Sequence, residues 1–303
     1  MTPRSVGIIG TGTVGASVAI STLAAGFATR LRLHDLRSGV AEGEALDLAQ
    51  GELFYQACEV QFEANFATLL DCQALVLSAG RNGKPGESRL DLLKFNAGLA
   101  RDFGTRLRGY PGIVVVISNP VDVLVRIVTE ASGLPPERVI GTGTTLETAR
   151  LRHVLARDLK VSANSVEAMV LGEHGDSQVP IWSQARVGGV PLSQFPGWDA
   201  AKETALANEV RTAASEIINR KGATNHAIGL VTARVLKAIL RDENEVLPIS
   251  RVQKGTGIAL SMPTVLGSAG AHAILEPLLN AVEKAALQHC AEVLQKAYES
   301  SGS

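Results

Sequence analysis

The chain has 303 residues, 46% hydrophobic and 19% charged, enough apolar side chain to bury a sizeable core over about two domains. Its 29 basic and 30 acidic side chains leave a net charge of −1, which provides no broad positive field and argues against nucleic acid as a partner. Glycine and proline are dispersed, which excludes a collagen-like or disordered chain.

The N-terminus reads Met1-Thr2-Pro3-Arg4 and then Val6-Gly7-Ile8-Ile9, an apolar run too short for a secretory signal and better read as a first strand. A cytoplasmic location follows as an expectation. The longest apolar stretch, from Ile113, is broken at Asn119, Pro120 and Asp122, short of the roughly 18 residues of a membrane span, so no membrane partner is expected. Cys58, Cys72 and Cys290 are odd in number and far apart, a pattern for buried thiols in a reducing compartment rather than for a metal or redox pair; no metal is expected.

Short β-branched runs recur through the first half at Val6–Ile9, Leu31–Leu33, Ala74–Leu77, Ile113–Ile117 and Val139–Ile140, with helix-length segments between them. Strands with little polar alternation are covered on both faces, which predicts a parallel sheet of βαβ units and a Rossmann-type doubly wound α/β fold. Beyond about Gly143 the pattern changes to long amphipathic helices at Trp198–Asn219, Ala227–Arg241 and Pro277–Tyr298. Strand-like pieces there are Ser165–Leu171, Val246–Ile249 and Gly257–Ser261. Residues 1–143 are therefore expected to form a dinucleotide-binding domain and residues 144–303 an α+β substrate and catalytic domain packed on it. No repeat or low-complexity linker separates them.

Gly10-Thr11-Gly12-Thr13-Val14-Gly15 follows the first strand and opens the helical stretch from Ala16. By itself the string fits any glycine-rich turn. Between a strand and a helix it fits a pyrophosphate cradle, in which small residues allow the tight turn and free N–H groups face the anion. Asp35 ends the second strand 20 residues past Gly15, the position of an acid that accepts from ribose hydroxyls and repels a 2′-phosphate. NAD is accordingly expected over NADP, with Arg37 two residues on tempering the preference.

The segment from Ala79 through Gly80, Gly83, Pro85 and Gly86 to Arg89 lies where open α/β sheets bind ligands and reads as a loop over the site. Ser118-Asn119-Pro120-Val121-Asp122, Glu147-Thr148-Ala149-Arg150 and Gly172-Glu173-His174-Gly175-Asp176-Ser177 follow in order. With Gly86-Glu87-Ser88-Arg89-Leu90-Asp91-Leu92 and the glycine motif, these strings resemble the L-lactate and malate dehydrogenase family, most closely its L-lactate dehydrogenase-like branch, over nearly the whole chain.

The resemblance implies reversible hydride transfer between NADH and a 2-oxo acid. It places His174 as the proton donor to the carbonyl oxygen, a role for which imidazole is suited when a neighbouring carboxylate tunes it. Arg150 takes the place of the guanidinium that holds the substrate carboxylate by two parallel hydrogen bonds, and Arg89 that of the loop arginine that closes over the carbonyl. Asn119 and Thr224 match substrate-side polar residues. The implied cofactor set is Gly10, Gly12, Val14, Gly15, Asp35, Gly80, Asn96, Asn119 and Thr142. A homodimer or homotetramer is implied as well.

The chain departs from the family pattern at three places. Glu147 stands where an aspartate normally orients the histidine; it keeps the carboxylate but adds a methylene, and is expected still to serve, the other reading being a solvated helix acid. Gly83, six residues before Arg89, stands where lactate dehydrogenases place glutamine and malate dehydrogenases arginine. Glycine offers no cation to a second carboxylate, a loss of about 2–5 kcal/mol for a broken buried charge pair. A monocarboxylate with an apolar side chain larger than methyl is expected, and the small Ala223 points the same way. The counter-reading is that Arg81 or Lys84 restores dicarboxylate binding. Third, Arg152 fits one phosphate position of relatives activated by fructose 1,6-bisphosphate, but Glu167 occupies the other, where a carboxylate would repel phosphate; no such activation is expected. Malate dehydrogenase is the alternative reading, and a non-catalytic NAD-binding sensor a second.

Overall fold

The computed structural model describes residues 4–81 and 88–302, Arg89 by its backbone alone. The first half alternates strand and helix: β1 (Ser5–Ile9), α1 (Thr13–Ala25), β2 (Arg30–His34), α2 (Ser38–Gln50), β3 (Glu59–Phe62), β4 (Ala74–Leu77), α3 (Arg89–Arg106), β5 (Ile113–Val116), α4 (Val121–Ser132) and β6 (Val139–Gly141). These six strands are parallel in the order β3-β2-β1-β4-β5-β6, the doubly wound arrangement expected from the patterning.

Every residue of β1, β4 and β5 is buried. Successive side chains go to opposite faces, so Val6, Ile8, Ala74, Val76 and Val115 join one apolar cluster with α1, while Ile9, Leu75, Leu77, Val114 and Val116 join the other with α3 and α4. Each of these valines, leucines and isoleucines, withdrawn from water, stabilises the fold by about 1.5–3 kcal/mol. The edge strand β3, Glu-Val-Gln-Phe, has Glu59 and Gln61 exposed; that polar alternation kept it out of the aliphatic pattern.

The second half continues with α5 (Thr145–Leu159), β7 (Val166–Glu167), β8 (Val170–Leu171), β9 (Val179–Pro180), β10 (Arg186–Val187) and β11 (Val190–Pro191). After these come α6 (Ala200–Lys221), α7 (His226–Leu240), β12 (Glu245–Val252), β13 (Ala259–Gly267), β14 (Gly270–Ile274) and α8 (Ala281–Ser300). The single strand expected at Ser165–Leu171 is divided. Its first part, β7, pairs with β10, and its second, β8, with β9, so one segment serves two small sheets. Helices α6 and α8 start later than the amphipathic pattern suggests because Asp199 and Asn280 cap them, each side chain accepting a first-turn N–H.

The second half does more than pack on the first. β12 joins the edge of β6 antiparallel at Ser250↔Gly141, and β13 and β14 follow, so nine strands of the described residues form one sheet. Helix α7 lies against α1 so closely that a Cβ on Gly229 would fall 2.5 Å from the Ser17 carbonyl oxygen.

Candidate active site

Strand order reverses between β1 and β4, and the crevice outside their carboxyl ends is where such sheets take ligands. Gly10 leaves β1 at φ +92°, and a Cβ there would lie 2.7 Å from the Ala79 nitrogen beyond β4. A Cβ on Gly15 would fall 1.9 Å from the Gly10 carbonyl oxygen, so the turn closes only with glycine at both places. Gly12 differs: a Cβ on it would meet nothing within 4 Å. It caps α1 without a side chain, and the first turn carries no acid, which leaves the positive helix end available to an anion. Val14, one residue into α1, packs against the core beneath the turn.

Asp35 braces this turn. Its Oδ2 accepts the Thr11 N–H at 2.9 Å, and its Oδ1 accepts the Arg37 N–H at 2.9 Å. The Arg37 guanidinium lies 3.6 Å from the same Oδ1 and is 73% exposed, so it leans on the acid. A glycine cradle with an open outer face, a helix start without an acidic cap and a strand-end carboxylate fit the pyrophosphate and ribose of NAD.

Beyond β4 and β5 the two loops are laced by Asn96 on α3, 3% exposed. Its Oδ1 accepts the Arg81 N–H at 3.2 Å, and its Nδ2 donates to the Asn119 carbonyl at 2.9 Å. Gly80 lies beside it, a Cβ there coming within 3.5 Å of Asn96 and Ser118. Asn119 is exposed just past β5, and Thr142, buried past β6, donates its N–H to Val116. The Arg81 guanidinium stacks 4.4 Å over the Phe95 ring.

The chemistry-bearing side chains converge from α5 and from the segment after β8. Glu147 and Arg150 share one face of α5, and His174 meets them from the facing segment. Glu147, 2% exposed, places Oε2 at 2.9 Å from His174 Nδ1 and accepts from Arg150 Nη1 at 2.9 Å on Oε1. The added methylene therefore does not detach the carboxylate from the histidine; one oxygen goes to the ring and the other to the guanidinium. Burial would raise the Glu147 pKa, but His174 first and then Arg150 hold the carboxyl below its ordinary value. Burial likewise lowers the imidazole's affinity for a proton, yet the Glu147 carboxylate, and behind it Asp122, raise the His174 pKa to about 9. An ionised carboxylate only accepts, so Nδ1 carries a proton and Nε2 is the working end of the ring. The His174 side chain is 23% exposed, enough to be reached.

The histidine segment is pinned along its length. Gly172 exchanges two main-chain hydrogen bonds of 2.9 Å with Ser261 on β13, and the Ser261 hydroxyl accepts the Thr144 N–H at the start of α5. Glu173 Oε2 accepts the Ser177 N–H and hydroxyl at 3.0 and 2.6 Å. Asp122 Oδ2 accepts the His174 N–H at 2.8 Å.

Residues 4–141 match the NAD binding domain of lactate/malate dehydrogenase, and residues 144–302 match its alpha/beta C-terminal domain. The chain belongs to the lactate/malate dehydrogenase family. It is 39% identical to L-lactate dehydrogenase 2 of Lactococcus lactis subsp. lactis, over 99% of each chain, and 39% identical to L-lactate dehydrogenase of Moorella thermoacetica, over 97% of this chain and 96% of that one. The crystal structure of the minor L-lactate dehydrogenase from Enterococcus mundtii in its ligands-bound form superposes with a TM-score of 0.94 at 39% identity, covering 99% and 98% of the two chains. A lactate dehydrogenase from a Medee basin deep-sea metagenome library gives 0.95 at 36% identity over the full length of both.

Among the family positions singled out in the sequence, His174, Glu147 and Arg150 are brought together, and the glycine turn with Asp35 forms a second cluster. Thr224 is half-buried in the link from α6 to α7, next to Asn225, whose Nδ2 donates to the Ser17 hydroxyl on α1 at 2.8 Å. Gly83 and Lys84 lie outside the described residues, as does the Arg89 side chain; the Arg89 backbone opens α3, which Ser88 caps. Arg152 is turned inward, its Nε donating to the Val166 carbonyl, while Glu167 is exposed and paired in register with Arg186. Two site residues had no assignment from sequence, Asp122 and Ser261. The signal for Asp122 is a lone acid within the apolar run Val121-Asp122-Val123-Leu124-Val125; Ser261 has no local signal, since its partners, Gly172 and Thr144, come from two distant segments.

Proposed function

We propose that the chain is an NAD-dependent L-2-hydroxy acid dehydrogenase that interconverts a 2-oxo monocarboxylate and its hydroxy acid, residues 1–143 holding the cofactor and residues 144–303 the substrate. The observation that carries this is the shared carboxylate of Glu147, with His174 Nδ1 on one oxygen and Arg150 Nη1 on the other, both at 2.9 Å. It fixes a proton carrier and a carboxylate anchor next to each other.

Bound NAD supplies the hydride acceptor, and NADH the donor. Gly10, Gly12, Val14, Gly15 and Asp35 would hold its pyrophosphate and adenosine end, and Gly80, Asn96, Asn119 and Thr142 would line its remaining part. The Arg150 guanidinium has five N–H donors and gives one to Glu147, which leaves others for a substrate carboxylate. With the carboxylate anchored, His174 Nε2 donates its proton to the carbonyl oxygen as negative charge develops there, and Glu147 stabilises the imidazolium that precedes transfer. In oxidation the neutral imidazole takes the proton back. Arg89 is assigned to closing over the carbonyl and excluding water.

The small Gly83 and Ala223 support a substrate whose side chain is apolar and larger than methyl. NADH oxidation followed by absorbance with pyruvate, oxaloacetate, 2-oxoisocaproate and phenylpyruvate tests the reading. Highest kcat/KM for a monocarboxylate bears it out; oxaloacetate in first place makes the chain a malate dehydrogenase, and no turnover with any of the four makes it a sensor.

A further inference from the structure

Asp122 is the second residue of α4, set among valines and leucine, and is 2% exposed. Only one of its oxygens is engaged by a hydrogen bond of normal geometry: Oδ2 accepts the His174 main-chain N–H at 2.8 Å, while Oδ1 has no such partner among the described residues. A carboxylate this deeply buried is costly unless neighbouring groups compensate its charge. The groups that face it are His174 and Glu173 from the segment after β8, Ser250 from β12 and Cys290 from α8. Of these only His174 can carry positive charge.

We propose that Asp122 is a second positioning carboxylate of the His174 site, fixing the histidine by its main chain and placing a negative charge behind its ring. The imidazole then stands between two acids: Glu147 at Nδ1 sets the ring plane, and Asp122 at the backbone sets where the ring begins. The proposal rests on the reading of His174 as the proton carrier. Burial raises the Asp122 pKa to about 6, against the Ser250 hydroxyl and then the N–H and charge of His174, which favour the carboxylate. Above that pH the ionised acid supports an imidazolium.

The test uses the full-length protein and two variants. Asp122→Asn keeps a carbonyl oxygen for the His174 N–H but removes the charge; Asp122→Ala removes both. In Asp122→Asn the titration of the His174 ring, followed by proton NMR, is expected to move down by about one pH unit. The basic limb of pyruvate reduction should move with it, with KM changed by less than about two-fold. In Asp122→Ala, kcat is expected to fall by about ten-fold or more, since a misplaced donor loses rate rather than binding. An unmoved His174 titration in Asp122→Asn overturns the electrostatic role, and unchanged kcat in a folded Asp122→Ala overturns the positioning role. Should Asp122→Ala not fold, the Asp122→Asn titration alone decides. Wild-type protein inactive on every 2-oxo acid would end the dehydrogenase reading, and the two NMR titrations would still score this one.

Discussion

Glu147 divides its two oxygens between an imidazole and a guanidinium, and that division sets what each can do. Replacing it by glutamine removes the charge that supports the imidazolium, so kcat for 2-oxo acid reduction is expected to fall by about 100-fold or more, and a Glu147→Gln variant with full turnover would end the assignment. The pH dependence follows from the sign of the shift. With its pKa raised to about 9, His174 is protonated through neutral pH, so reduction should hold level there and decline as pH rises through about 9, while hydroxy acid oxidation climbs over the same interval. A reduction midpoint near 6.5 would mean that Glu147 does not support the charge. Arg150→Lys keeps a cation but loses the planar fork, and KM for the 2-oxo acid should rise by about 10- to 100-fold in a steady-state assay. At this scale the sequence was most informative, because Glu147, His174 and Arg150 sit in strings that resemble the family's proton-donor and carboxylate-anchor segments. Asp122 escaped because an acid at the second position of a helix reads as a solvated helix-start carboxylate until its burial is known.

The β1–α1 turn shows why element boundaries carry more than topology. Gly15 approaches the Gly10 carbonyl so closely that Gly15→Ala must open the turn, and NADH affinity, read by fluorescence titration, should weaken by about ten-fold or more while the far-ultraviolet circular dichroism stays unchanged. Gly229 plays the corresponding part for the α1–α7 contact. Gly229→Val would drive α7 away from Ser17 and cost about 1–3 kcal/mol in urea unfolding; wild-type stability would show that the helices accommodate the side chain. The interior strands were legible because aliphatic runs buried on both faces leave a plain trace. β3 and β14 were not: the two strands are the outer edges of the sheet, Glu59 and Gln61 alternate with apolar residues on the one, and on the other Gly270 and the exposed His272 break up a short apolar run.

Across the whole molecule, charge is nearly balanced while the site is not, because Arg150 and a protonated His174 face one buried Glu147. A small anion is favoured there without any overall positive field. No helix among the described residues is long and apolar enough to cross a membrane. Elsewhere on the surface, Arg152 is committed to the Val166 carbonyl and Glu167 keeps its acid exposed, so fructose 1,6-bisphosphate is expected to leave the substrate saturation curve in place; a left shift on its addition would contradict this. A homodimer or homotetramer is expected in sedimentation, and the apolar side chains of Leu53 and Phe54, 92% and 90% exposed past α2, with Leu230, 65% exposed on α7, are candidates for its contacts. A monomer at micromolar concentration would count against that.

The seam at Ser250↔Gly141 has a further consequence for how the chain can be taken apart. One apolar cluster joins β1 and α1 to α7 and β12, and the other joins α3 and α4 to β13 and α8, so both interiors run straight across residue 143. The two halves are therefore not exchangeable modules. Cut there, each fragment would bare a strand edge and half of two greasy layers, and grafting the substrate half of one relative onto the cofactor half of another would require matching an entire interior, not a linker.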